Sequence, residues 1–189
     1  MSQVLLNHPE PWIGIPESFP NDGWQRVEEW ADDLVEELAE GFGSPVDDQF
    51  AALAAALVEV ANSRVSRGAT RIYATVDSWT GPLFIADLVL AGAGAEDAFT
   101  LEELVGSDDP DAIRTPAVEE FVTDSGLVGV VVTRYVELPD VDGVIARVDY
   151  AWRVGNGFVR LYTAQIDFVH FDAMAPRLAE LARSLSVTA

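Results

Sequence analysis

Residues 144–169 read VIARVDYAWRVGNGFVRLYTAQIDFV, and their alternation decides the fold. Apolar residues recur at every second position on both sides of Gly155-Asn156-Gly157, the pattern of two strands joined by a tight turn. A three-residue loop predicts Val154 opposite Phe158, Trp152 opposite Arg160 and Tyr150 opposite Tyr162. One face then carries Val144, Ala146, Val148, Tyr150, Trp152, Phe158, Tyr162, Ile166 and Phe168. The other carries Arg147, Asp149, Arg153, Gln165 and Asp167. A two-residue Asn156-Gly157 loop sets Arg153 against Arg160, a like-charge pair, so the three-residue loop is preferred.

Outward from this hairpin, 127–138 reads as a further long strand, joined to it by a turn over 139–143. Ile72, Ala74 and Val76 alternate with polar neighbours as another strand. After a turn at Trp79, the apolar run 83–91 is the next, ended by Gly92-Ala93-Gly94. Leu101 to Leu104 suits a helical turn, Ser107-Asp108-Asp109-Pro110-Asp111 a turn, and 118–122 a short edge strand. On the other side, a helix is expected from Asp172 to about residue 185 with Met174, Leu178, Leu181, Ala182 and Leu185 buried. Pro176 then falls in its first turn, where proline is tolerated.

Ahead of the strands lie two helices. Trp12-Ile13-Gly14-Ile15-Pro16 is a brief strand that proline confines to an edge or an end. Asn21 or Asp22 offers an N-cap. From Trp24, apolar residues at Val27, Trp30, Ala31, Leu34, Val35, Leu38 and Phe42 mark an amphipathic helix, closed by Gly41 and Gly43. Ser44-Pro45 restarts the chain as cap and first helical residue, giving a helix over 46–67 that Gly68 ends. Its segment 51–58 is apolar nearly all round and is expected to pack on two sides. These elements define an α+β fold: an antiparallel sheet of about 5–7 strands with an N-terminal helical hairpin and a C-terminal helix. One domain over 1–189 is expected.

The charge inventory narrows function more than any motif. Asp and Glu number 32 against 11 basic residues, all of them Arg, with no Lys, no Cys and two His, for a net charge of −21. Thiolate and lysine chemistry are therefore absent, and His8 and His170 are the two imidazoles. Lys-free composition beside abundant Ala, Val, Gly and Arg reads as the codon bias of a GC-rich bacterial genome. The charge is uneven: residues 1–60 carry 13 acids and one Arg, whereas 126–189 carry seven acids and six Arg. A nucleic-acid partner needs a basic footprint, and anionic membrane surfaces repel such a chain. The opening MSQVLLNHPEPW has no basic segment or long apolar run, so no secretory signal is expected. No stretch approaches the ~18 apolar residues of a membrane span. A cytoplasmic protein without cofactor is the expectation.

On the first helix, Glu29, Asp33, Glu36 and Glu40 share one strip, flanked by Asp32 and Glu37. Like charges at i,i+4 are mutually destabilising, so the helix must be held by its buried face. The plain reading is a solvated surface; the functional one is a partner-binding face for a basic or amphipathic protein. Asp140-Val141-Asp142-Gly143 has part of a calcium loop's spacing without the remaining ligands. Asp108 to Asp111 has carboxylates without a frame, and turn chemistry explains both; no metal site is expected. His170 reads as a surface or capping residue, and no nucleotide or hydrolase fingerprint occurs. Trp79, Tyr150, Trp152, Arg160 and Tyr162 could line a small-ligand or hydrolytic pocket, with Trp152 over Arg160 as a cation–π pair; core packing is the default for such residues.

The proline-rich start with its downstream Gly23-Trp24, the long antiparallel strands and the closing Leu181-Ala182-Arg183-Ser184-Leu185 resemble the PsbP/Mog-type α/β/α domains. The resemblance is one of layout, over 120–189 and at 11–24; the paired helices at 22–67 depart from the usual order. It implies a non-enzymatic binding module, as in photosystem accessory subunits, a small-GTPase regulator and chaperones for secreted bacterial effectors. No functional residues carry across. The expectation is a protein-interaction module of chaperone, adaptor or immunity type, with a homodimer through an open sheet edge as a further reading.

Overall fold

A computed structural model describes residues 3–76, 81–91, 99–138, 143–165 and 168–188. Trp79, Gly92-Ala93-Gly94, the turn residues 139–142, Ile166 and Asp167 lie outside the described residues. The chain divides into two compact units, Pro11–Ile85 and Met1–Glu10 with Ala86–Ala189.

The Pro11–Ile85 unit holds the helical hairpin. Asp22 and Gly23 are left-handed, with φ of 44° and 104°, and Asn21 and Trp24 close the turn by exchanging backbone hydrogen bonds of 3.0 and 2.9 Å. The chain between them is a tight turn and not a helix cap. Helix α1 (Val27–Phe42) therefore starts later than expected, and its N-cap Arg26 supplies no side-chain bond. Glu29 substitutes by reaching back to the Gln25 amide at 2.8 Å. At the other end Gly43 is left-handed (φ 65°), and Ser44 donates to the Ala39 carbonyl at 2.9 Å, as a glycine C-cap requires.

Helix α2 (Asp48–Asn62) is capped by Asp47, whose carboxylate accepts from the Gln49 and Phe50 amides, and not by Ser44. A carboxylate at that position also meets the positive end of the helix dipole, which a serine does not match. The expected single helix over 46–67 is interrupted at Ser63, whose hydroxyl donates to the Val60 carbonyl at 2.8 Å. The short helix α3 (Arg64–Arg67) follows, and Gly68 ends it with φ 65°. Helix α2 buries Phe50, Leu53, Ala54, Leu57 and Val60 on one side, while Ala51, Ala52 and Ala55 are exposed. Packing on two sides is thus not observed; alanine needs no burial to favour a helix.

Trp30, Ala31, Val35 and Ala39 of α1 complete this core with Ile15, Ile72, Ala74 and Val76. The last four come from β2 (Ile13–Ile15) and β3 (Arg71–Val76), antiparallel with Ile13 opposite Ala74. Arg64 ties the unit together by donating to the carbonyls of Ile15, Pro16 and Thr70.

Strand β4 (Leu83–Ala91) begins in this unit and ends in the other. There the strand order is β4-β8-β7-β6-β5, all antiparallel: β5 (Ala117–Val122), β6 (Val128–Leu138), β7 (Gly143–Val154) and β8 (Gly157–Gln165). Strand β5 ends the order and is exposed along most of its length. Helix α5 (Phe168–Arg183) starts four residues earlier than expected, so Pro176 lies inside it and not in its first turn. Its stripe of Met174, Leu178, Leu181 and Ala182 is buried as expected. Leu185 is buried too, but in a strand: β9 (Leu185–Thr188) pairs with β1 (Gln3–Leu6), a two-stranded sheet the sequence pattern did not announce. On the opposite side of the large sheet, the single turn α4 (Leu101–Leu104) and Val105 pack on Val130, Val132 and Ala151. No helix among the described residues is long and apolar enough to cross a membrane.

Candidate functional site

On α1, Asp32, Asp33, Glu36, Glu37 and Glu40 are exposed. The four stripe residues are not equivalent. Glu29 is half-buried, and its carboxylate also takes Arg26 Nε at 3.1 Å, so these partners hold its pKa below the ordinary value. Asp33 accepts from the Trp24 indole at 2.7 Å and anchors the turn before the helix. Both therefore have structural duties at the helix start. Glu36 and Glu40, with Asp32 and Glu37, form the exposed remainder. No basic residue occupies the last turn, so these acids face both one another and the negative end of the helix dipole.

The β7–β8 hairpin adopts neither loop weighed from sequence. Val154 pairs with Gly157 around a two-residue Gly155-Asn156 loop. Gly155 has φ 59°, in the position where type II′ turns take glycine. This register puts Trp152 opposite Val159, Tyr150 opposite Leu161, Asp149 opposite Tyr162 and Ala151 opposite Arg160. A one-residue change moves a strand's alternate residues to the other face. Tyr150 and Trp152 thus stay on the α5 side, while Arg160 and Tyr162 move to the α4 side. The expected Trp152–Arg160 pair does not form; Arg160 lies over the Tyr162 ring at 4.9 Å instead.

On the α5 side, Trp152 is fully buried and stacks on Tyr150 at 5.9 Å, with Phe121 edge-on to both at 6.0 and 4.7 Å. Gly129 stands opposite Trp152, and a Cβ there would collide with the indole and with the Ala151 carbonyl. Glycine is required for this close approach. Burial pushes the Tyr150 hydroxyl up to about 12, against a smaller opposing pull from Arg183. Beside Tyr150 a groove of about 560 Å³ opens, with Thr133 and Val148 also in its floor, Glu119 on its β5 side and Ala175 of α5 on its wall. Arg114 lines it too, its guanidinium 5.0 Å from the Tyr135 ring centre.

The α4 side carries what sequence reasoning missed. Asp149 is fully buried, yet Arg134 donates to its Oδ2 at 2.8 Å and Arg160 Nε to its Oδ1 at 2.9 Å, with Arg147 at 3.8 Å. Arg134 also pairs with Asp109, which in turn accepts from the Asp111 amide, so that acidic turn is a structural clamp. Gly106, at φ 73°, lies against the Arg134 guanidinium so closely that a Cβ would collide with it. Arg134 and Arg147 stand directly opposite in the β6–β7 ladder, a placement tolerable because Asp149 sits between their charges. The arrangement pairs each of these charges internally, leaving Arg134 Nε and Arg147 Nε buried without a hydrogen-bond partner, and it holds the strands together. The one sequence signal for it was a lone Asp among arginines at 147, 153 and 160.

A second hollow of about 420 Å³ lies in the other unit, beside Pro16–Phe19, but its Arg64 is committed to backbone carbonyls. His170 falls within the first turn of α5 and not at a strand end. Among the described residues no group of His, Asp and Glu is placed to hold a metal ion. Compared with known proteins, the chain matches no family model and no curated sequence.

Proposed function

We propose that this protein is a non-enzymatic, cytoplasmic interaction module of chaperone, adaptor or immunity type, which meets a basic or amphipathic partner through the exposed face of α1. The observation that carries this reading is the run Asp32, Asp33, Glu36, Glu37 and Glu40. Asp32/Glu36, Asp33/Glu37 and Glu36/Glu40 are like-charge i,i+4 neighbours, and the last turn offers no cation. Asp33 is compensated by the Trp24 indole, but a surface that violates two local rules at once is where function is sought. The PsbP/Mog-like layout, shared by binding modules, points the same way. A cationic partner would relieve the repulsion, and association would be fast and salt-sensitive.

The test compares the proteins cross-linked in a native extract by the wild type and by Glu36→Gln/Glu37→Gln/Glu40→Gln, at low and high salt. Glu29 and Asp33 are left intact because they build the helix start. A basic partner held by the wild type at low salt and lost by the variant is the expected result. A partner held equally by both removes α1 from the interface, and no partner at either salt removes the interaction reading.

A further inference from the structure

We infer that the free edge of β5 is a second docking site, which accepts an extended cationic segment of a protein partner as an added strand. Among the described residues the edge is open in the hydrogen-bonding sense: β6 pairs with β5 on one side, and the strand order stops there. An open edge is normally shortened, charged or covered to prevent self-pairing. Here Ala117, Val118, Glu119, Glu120 and Val122 are all exposed.

The alternation along β5 states what an incoming strand must carry. Val118, Glu120 and Val122 share one face, and Val128 of β6, opposite Val122, extends their apolar strip; Val118, Val122 and Val128 are 38%, 46% and 55% exposed. Glu119 faces the other way, onto the groove floored by Thr133, Val148 and Tyr150. A strand added about 4.8 Å away would run along the mouth of this groove. Its residues beside Val118 and Val122 would be apolar, and those beside Glu119 and Glu120 would be cationic. An arginine beside Glu119 could lay its aliphatic stem into the groove while its head meets the carboxylate.

The same glutamates disfavour a second copy of the chain. Edge-to-edge pairing of two β5 strands brings like charges together at the centre of the new ladder, on a molecule already carrying −21. The two acids therefore act as a filter, refusing the chain's own edge and admitting a basic one.

The probe is a synthetic peptide centred on Val-Thr-Arg-Arg-Val, written for antiparallel addition, with a control in which both arginines are replaced by glutamate. Binding is read by titration at low salt and by amide hydrogen exchange on the full chain. The wild type should bind the arginine peptide at least about tenfold more tightly than the control, with new protection confined to β5. Glu119→Lys/Glu120→Lys should abolish this preference, while Glu36→Gln/Glu40→Gln on α1 should leave it unchanged, which separates this site from the α1 face. Both glutamates are exposed, and an unaltered melting temperature for the reversal variant checks its fold. Absence of binding, protection outside β5, or binding untouched by the reversal would each overturn the proposal. Concentration-dependent dimerisation with protection at β5 would overturn it in favour of self-pairing.

Discussion

On α1, acids stand side by side in water with no cation in the last turn; in the β6–β8 ladder, Asp149 is sealed from water beneath three arginines. The first arrangement is weak and replaceable, because solvent screens each charge and the helix is held by Trp30, Val35 and Ala39. The second is rigid, because a buried carboxylate without its partners has no water to turn to. The charge on which the fold depends most therefore lies inside. Outside it, Glu29 and Asp33 serve the helix start and the other α1 acids are left available to a partner.

The sharpest way to break this contrast is Asp149→Asn. It leaves Arg134, Arg147 and Arg160 around a neutral group and should destabilise by about 3–5 kcal/mol, read as a fall in the urea midpoint. An unchanged midpoint would show that the network contributes nothing to folding.

Tyr150 tests burial by another route. Its folded pKa is raised to about 12 from 10.0. The stabilising preference for the neutral phenol is thus complete below pH 10 and lost as pH rises through 12. Two pH units correspond to at most about 2.7 kcal/mol, and the protein should weaken over that window. Tyr150→Phe should flatten this part of the stability–pH curve; an identical curve for the variant would refute the assignment.

Gly106→Ala should cost about 1–3 kcal/mol, because the new Cβ strikes the Arg134 guanidinium and the backbone is left-handed. Differential scanning calorimetry would detect it, and relief in a Gly106→Ala/Arg134→Ala background, relative to Arg134→Ala alone, would identify the collision as the cause. The smallest effects belong to α1. Glu36→Gln should stabilise by a few tenths of a kcal/mol for each like-charge neighbour relieved, a gain that shrinks in salt. A loss of stability at low salt would mean that Glu36 has a partner in the fold. Glu29 behaves oppositely: its lowered pKa means that its contribution is present at neutral pH and fades as pH falls below about 4.5. Glu29→Gln should remove that acid-side decline in a melting series.

The contrast also explains what was legible in the residues. Helical stripes at Trp30/Val35 and Met174/Leu178/Leu181 were readable because burial imposes a period of 3.6 on many positions at once. The edge character of β5 was readable from its short run of polar and apolar residues. The register of β7 and β8 was not, since Gly155-Asn156-Gly157 offers glycine to more than one loop and a single residue decides every face. The like-charge argument used to choose between loops was sound for exposed pairs and uninformative here. Arg134 does stand opposite Arg147, because Asp149, which no local pattern marks as buried, joins them. For the acidic strip the residues were visible but not their duties; that Glu29 and Asp33 serve the helix start depends on the left-handed Asp22-Gly23 turn.

The pairing of β1 with β9 sets a timetable for the newborn chain. Gln3 and Thr188 are hydrogen-bonded across 185 residues, so β1 waits for β9 to be made. At ordinary synthesis rates that wait is roughly 10–40 s, long enough for the Pro11–Ile85 hairpin to form from local contacts. Met1–Glu10 belongs to the same compact unit as Ala86–Ala189, and its strand can find its register only after residue 188 is made. The β1–β9 clasp is thus among the last parts of this fold to close.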